Sequence, residues 1–139
     1  MRRRVWCSLG SVVAAFLALA SADQAQSHFV VGMTALHNFE YEEANEAFAQ
    51  ARTIEPGFSL AYWGEALTYY QVLWRNEDVP AARRTLALLA PTARARAAKA
   101  TSARDKGLLG AAEILFGEGD ANARHLQYAE AMADRKSVV

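Results

Sequence analysis

Apolar and polar positions in residues 27–133 recur at the spacing of an α-helix, not at the alternation of a β-strand. In residues 41–53, for example, Ala44, Ala47, Phe48 and Ala51 fall on one face, and charged side chains occupy much of the remaining surface. Alanine, the strongest helix former, is abundant, and no run of alternating β-branched residues occurs. The pattern therefore predicts an all-α protein.

Prolines, glycines and short polar residues divide this pattern into seven predicted helices. Pro56 and Gly57 end one of them, because proline lacks a backbone donor and glycine tolerates a left-handed turn. Ser102 and Asp120 are predicted N-caps, and Gly117 a left-handed C-cap. The predicted helices cover residues 27–38, 41–53, 59–73, 80–89, 92–99, 103–116 and 121–133.

Residues 1–22 have the composition of a secretory signal peptide. Three arginines at positions 2–4 precede an uncharged apolar segment, and the small residues Ala20 and Ala22 supply an A-x-A exit. Cleavage is predicted before Asp23, or before Ser21 if the preceding A-x-A is used. The alternative is an uncleaved membrane anchor, because a run of about 18 apolar residues can just span a bilayer.

Removal of this segment changes the charge and the chemistry of the chain. The full chain has 15 basic and 15 acidic side chains, so losing three arginines leaves the mature domain at −3. An acidic chain is a poor candidate for binding nucleic acid or an anionic membrane. Cys7, the single cysteine, is lost as well, so the mature protein has no disulfide and no thiolate. We expect an exported protein, in the periplasm of a Gram-negative bacterium or secreted.

The last six residues, DRKSVV at positions 134–139, resemble the translation of a common sequencing-library adapter. We interpret them as a non-native tail that follows a truncated helical domain at residues 23–133. The alternative is a native, frayed helix end.

The spacing of small and aromatic residues in the first two helices resembles the tetratricopeptide repeat. Gly32, Ala44, Phe48, Ala51 and Pro56 stand where that family has its close-packing small residue, its packing pair, its next small contact and its terminating proline. The chain departs from the family pattern at three positions, which hold His28, Ala35 and Phe39 in place of tryptophan, tyrosine and the turn glycine.

The second repeat is degenerate and leaves its register open. One period of 34 residues later, Tyr62, Ala66 and Tyr69 occupy the signature positions, but Glu65 replaces the usual leucine. A register one residue later starts instead from Trp63. The last two helices suggest a third pair.

The segments ALHNFEYEEA, AYWGEALTYY and LFGEGD look like those of large exported bacterial tetratricopeptide proteins. The resemblance implies an α-solenoid of about three helix pairs, whose first helices line a concave groove for a protein or peptide partner. The implied groove residues are Phe29, Met33, Leu36, His37, Trp63, Leu67, Tyr70 and Gln71. The implied repeat-packing residues are Gly32, Ala44, Phe48, Ala51, Pro56, Tyr62, Ala66 and Tyr69. The alternative is that the groove residues pack under a neighbouring helix or a further repeat.

No catalytic, cofactor or metal site is predicted. The three histidines, His28, His37 and His125, have no ligand spacing, and the chain contains no H-E-x-x-H, glycine-rich phosphate loop or G-x-S-x-G. The sequence therefore favours a non-catalytic binding scaffold. The alternative is a helical accessory domain of a longer enzyme whose active site lies beyond residue 133.

Overall fold

The computed structural model describes residues 9–136, and helices form most of this part, so the all-α prediction is confirmed. The arginines and Cys7 of the predicted signal peptide, and residues 137–139 of the predicted tail, lie outside the described residues. The helices are α1 (Leu9–His37), α2 (Tyr41–Ile54), α3 (Ser59–Leu67), α4 (Val79–Leu89), α5 (Ala93–Ala98), α6 (Ala103–Leu115) and α7 (Ala121–Lys136). Two short strands, β1 (Tyr70–Gln71) and β2 (Asn76–Glu77), pair antiparallel around a 3₁₀ turn at Val72–Trp74.

Most helix ends are determined by the residues next to them in the sequence. The Ser102 hydroxyl accepts a hydrogen bond from the Asp105 amide at 3.0 Å, and the Asp120 carboxylate accepts one from the Ala123 amide at 3.0 Å, so both predicted N-caps are confirmed. The predicted left-handed cap at Gly117 is wrong. Gly119 takes the positive φ, of 102°, because the chain makes its reversal two residues later, just before the Asp120 cap.

The predicted helix over residues 59–73 is wrong in its second half. The chain leaves the helix after Leu67, where the Thr68 hydroxyl donates to the Glu65 carbonyl at 2.7 Å. The Tyr69 carbonyl then accepts a hydrogen bond from the Asp78 amide at 2.9 Å, which closes a hairpin in place of a further helical turn. The β-branched and aromatic residues that follow Leu67 favour this extended conformation.

Helix α1 begins well before the predicted residue 27. Its apolar N-terminal residues are exposed, including Phe16 at 70%, and among the side chains described from residue 12 onward the first buried one is Ala25. The apolar side chains from Val12 to Ala20 therefore make no contribution to the core. Within residues 9–136, no helix combines the length and the hydropathy needed to cross a bilayer.

The helices pack in sequence, α1 on α2, α2 on α3, α3 on α4 and α6 on α7, and α3 also packs on α6. The core has two parts. The larger one lies between α3, α4 and α6 and contains Leu86, Leu109 and Leu115, which are almost completely buried. The smaller one joins α1 to α2 around Phe48.

Phe48 of α2 fixes the separation of α1 and α3. A Cβ atom added at Gly32 of α1 would lie 2.8 Å from the Phe48 ring, and one added at Gly64 of α3 would lie 2.4 Å from it. The ring is completely buried and therefore occupies space that only glycine leaves open on both helices. This contact sets α1 and α3 side by side.

Candidate binding groove

A groove of about 800 Å³ lies between α1, α3, α6 and α7 and is called here the central groove. Its walls are mostly apolar, and six of the eight groove residues implied by the sequence line it. These six are Phe29, Met33, Leu36, His37, Trp63 and Leu67. The other apolar lining residues, which the sequence reasoning missed, include Phe58, Leu60, Leu108, Tyr128 and Met132.

The other two implied groove residues lie elsewhere, because the chain leaves the helix before it reaches them. The Tyr70 ring faces α7, with its centroid 5.0 Å from that of His125 and 6.4 Å from that of Tyr128. Gln71 lines a separate, polar cleft of about 460 Å³ beside the acidic face of α2. Tyr70 therefore contacts Tyr128, which lines the central groove, but does not line the groove itself.

Trp63 belongs both to the groove wall and to the core. Only 6% of its surface is exposed, and it packs in the larger core cluster as well as lining the central groove. Tyr62, the residue on which the other register depends, is buried too, and its hydroxyl donates to the Pro56 carbonyl at 2.8 Å. Among the described residues, the indole Nε1 of Trp63 is the buried side-chain polar atom without a hydrogen-bond partner.

The remaining repeat-packing residues are distributed between core and surface. Tyr69 is half-buried and lines the polar cleft beside α2. Pro56 is exposed, and its carbonyl accepts a hydrogen bond from the Tyr62 hydroxyl. The others are buried, and they are Gly32, Ala44, Phe48, Ala51, Tyr62 and Ala66.

Glu65, which stands in place of the leucine of the repeat pattern, is buried with a partner. Only 4% of it is exposed, and its carboxylate accepts two hydrogen bonds from the Arg52 guanidinium of α2. This bidentate contact raises the pKa of Arg52, against the opposing effect of burial. The guanidinium also lies 5.9 Å from the centroid of the Tyr62 ring. An ion pair thus joins α2 to α3 where the repeat pattern has an apolar contact.

Glu77 of β2 holds α7 against the hairpin. Its carboxylate accepts a hydrogen bond from the Arg124 guanidinium at 2.9 Å and lies 3.0 Å from His125 Nε2. Burial alone would raise the pKa of Glu77, but the hydrogen bonds with His125 and Arg124 outweigh burial and hold that pKa below its ordinary value. Arg124 is itself buried and donates to the Leu115 carbonyl at the end of α6. These contacts place Tyr128 and Met132, one and two turns further along α7, at the groove wall.

A smaller cleft of about 380 Å³ adjoins the central groove, and the two share the lining residues Gln26, Phe58, Thr101 and Asp105. Three carboxylates line it: Asp23 from α1, Glu55 from the turn after α2, and Asp105 from the first turn of α6. Asp105 accepts a hydrogen bond from the Thr101 hydroxyl at 2.9 Å. We call this region the acidic cleft.

Within the part of the chain that the structure describes, no three histidine, cysteine, aspartate or glutamate side chains are grouped so that they could hold a metal ion. Comparison with protein-family models, with curated protein sequences and with solved structures finds no match to this chain.

Proposed function

We propose that this protein is a non-catalytic, tetratricopeptide-like scaffold that binds a protein or peptide partner in the central groove. The observation that carries the proposal is the groove itself, a mostly apolar surface of about 800 Å³ that is open to solvent. Apolar and aromatic walls of this kind suit the side chains of a peptide or of a partner's surface loop.

The helix arrangement supports a solenoid built from three pairs, α1 with α2, α3 with α4, and α6 with α7. The first helices of the three pairs, α1, α3 and α6, all contribute to the groove, and α3 packs on α6 as consecutive first helices of a solenoid do. The glycines at positions 32 and 64 that face Phe48 support close packing of the first two pairs. Two features depart from the repeat pattern: α5 is an extra short helix, and α7 also lines the groove.

We also propose that the chain is exported and processed. The support is the basic and apolar composition of residues 1–22, together with the exposure of the apolar side chains from Val12 to Leu19. Because the side chains from Val12 to Leu19 are exposed, removing them should leave the core intact. A partner in the same compartment is the expected ligand.

Selection from a random peptide library displayed on phage, with the full chain as bait, tests the binding proposal. Individual selected peptides are then measured against Met33→Glu, which puts a charge in the groove wall, and against Leu88→Glu, which changes an apolar residue that is 61% exposed outside it. We expect Met33→Glu to weaken binding at least tenfold and Leu88→Glu to leave it unchanged.

Thermal melts followed by circular dichroism establish that each variant is folded. If Met33→Glu does not fold, Met132→Gln provides a milder change in the opposite wall. Selected peptides that bind the groove variants as tightly as the unmodified chain would show that the groove is not the binding site.

A further inference from the structure

Phe39 has a backbone conformation that its own side chain disfavours. It follows α1 in the left-handed region, with φ at 64°, where a residue with a Cβ atom is disfavoured by roughly tenfold. Arg75, with φ at 50°, is the other described non-glycine residue with a positive φ. Strained positions of this kind cluster at sites that bind ligands, so the reason for each one is informative.

The turn after α1 requires the left-handed conformation but not the phenylalanine. The Glu40 amide donates a hydrogen bond to the Ala35 carbonyl at 2.9 Å. The Phe39 amide donates one to the Leu36 carbonyl at 3.2 Å, and the two bonds together form a Schellman cap. Glycine usually occupies the left-handed position of this cap, because it has no Cβ atom.

The packing of the Phe39 ring does not account for the strain. The side chain is 50% exposed, and its ring lies 6.4 Å from that of Tyr41, close to the outer limit of about 7 Å for aromatic pairs. Phe29, on the preceding helix, differs in this respect, because its ring lies 5.6 Å from that of Phe48 and 5.1 Å from that of Phe58. Phe39 therefore combines a strained backbone with weak packing.

Phe39 lines the central groove, whereas Arg75 does not. It comes two residues after His37, the last residue of α1, and so stands at the end of the wall that this helix contributes. The two hydrogen bonds of the cap fix its backbone, so a partner that covers the exposed ring does not have to order the turn.

We infer that Phe39 is a contact residue of the central groove, whose ring binds an apolar or aromatic side chain of the peptide partner and whose presence makes the fold less stable. The apolar character of that side chain follows from the mostly apolar walls around the ring. The inference rests on the proposed function and specifies how the partner is held.

Phe39→Gly tests the inference, because relief of the strain and loss of the ring have opposite effects. Glycine keeps the Schellman cap, so the melting temperature should rise by about 4 °C. The affinity for individual phage-selected peptides that Met33→Glu weakens should fall at least tenfold. A variant that merely misfolds would lose both stability and affinity. Phe39→Tyr, which keeps the ring and the strain, should retain the affinity and the melting temperature of the unmodified chain.

Arg75→Gly is the matched control. It relieves the same kind of strain at an exposed residue outside the groove, so it should raise the melting temperature similarly and leave the affinity unchanged. An alanine scan of each peptide then identifies the side chain that covers the ring. Replacing that side chain should weaken binding to the unmodified chain and have little further effect with Phe39→Gly.

Unchanged affinity in Phe39→Gly would refute the contact and leave the proposed function standing. A lower melting temperature of Phe39→Gly would show that the ring stabilises the fold, which also overturns the inference. If the selection yields no peptide that depends on the groove, the proposed function fails and the inference fails with it.

Discussion

Replacing Gly64 by alanine tests whether the Phe48 ring fixes the spacing of α1 and α3. The new Cβ atom would lie 2.4, 2.6 and 2.7 Å from three carbon atoms of the ring. Carbon atoms in favourable contact are about 3.5–4.0 Å apart, so the ring or a helix must move by about 1 Å. Phe48 is completely buried, so its ring cannot turn into solvent without displacing its neighbours.

Two opposing effects determine how much Gly64→Ala changes the free energy of unfolding. Overpacking of this kind costs about 1–3 kcal/mol, and alanine gains about 1 kcal/mol over glycine inside a helix. The net expectation is a loss of about 1 kcal/mol of unfolding free energy, which lowers the melting temperature of a domain of this size by about 4 °C.

Gly110 of α6 provides the matched control. It is also an interior helical glycine, but it is exposed and a Cβ atom there would meet nothing within 4 Å. Gly110→Ala should therefore raise the melting temperature by up to about 4 °C. Thermal melts followed by circular dichroism compare the two variants. The loss in Phe48→Leu/Gly64→Ala should be smaller than the sum of the two single losses, because the smaller side chain makes room for the added Cβ atom. If Gly64→Ala stabilises the protein as much as Gly110→Ala does, the ring does not set the helix spacing.

Three further predictions concern the ion pair between Arg52 and Glu65, the hairpin and export. Glu65→Ala should cost about 2 kcal/mol in urea melts, because it leaves the half-buried Arg52 guanidinium without its partner. The double change Arg52→Met/Glu65→Leu should stay within about 1 kcal/mol of the unmodified chain. An equal loss in both variants would show that the unpaired guanidinium is not the source of the loss. The hydrogen bonds that lower the pKa of Glu77 in the folded protein also stabilise the fold. This stabilisation should be complete above the ordinary glutamate pKa of about 4.3, and it should disappear as the pH falls through the lowered pKa of the folded state. Melting temperatures of Glu77→Gln and the unmodified chain should accordingly converge in acid, and a constant difference would argue against this contribution. Intact-mass measurement of a periplasmic extract should find a species that begins at Asp23 or Ser21, and recovery of the full-length chain in the membrane fraction would exclude processing.

Local signals in the sequence were sufficient for most of the helices. Ser102 and Asp120 each accept a hydrogen bond from the backbone amide three residues further on, and such contacts depend on the neighbouring sequence alone. The end of α3 was not predictable in this way. Helical periodicity continues past Leu67, and the competing hairpin is closed by the contact between Tyr69 and Asp78, which lies beyond the window of a periodic pattern.

The residues of the candidate site were predictable from the sequence where they lie on one helix, and they were not predictable where several helices meet. Phe29 and Met33 share a face of α1, so their common direction follows from their spacing. Tyr128 reaches the same groove from α7, and no local pattern connects these parts of the chain. Glu65 looked incompatible with the repeat because its partner, Arg52, belongs to another helix and the pair becomes visible only in three dimensions.

The contact between the hairpin and α7 also has a consequence for the order of folding. Helices α1 to α4 form contacts between neighbours in sequence, whereas Glu77 joins Arg124 and His125 across 47 and 48 residues. Closing a loop of that length costs about 2 kcal/mol more in chain entropy than closing a four-residue turn. The α7 wall should consequently assemble after the first two helix pairs. A nascent or partly unfolded chain would then present the α1 and α3 side of the groove before the site is complete.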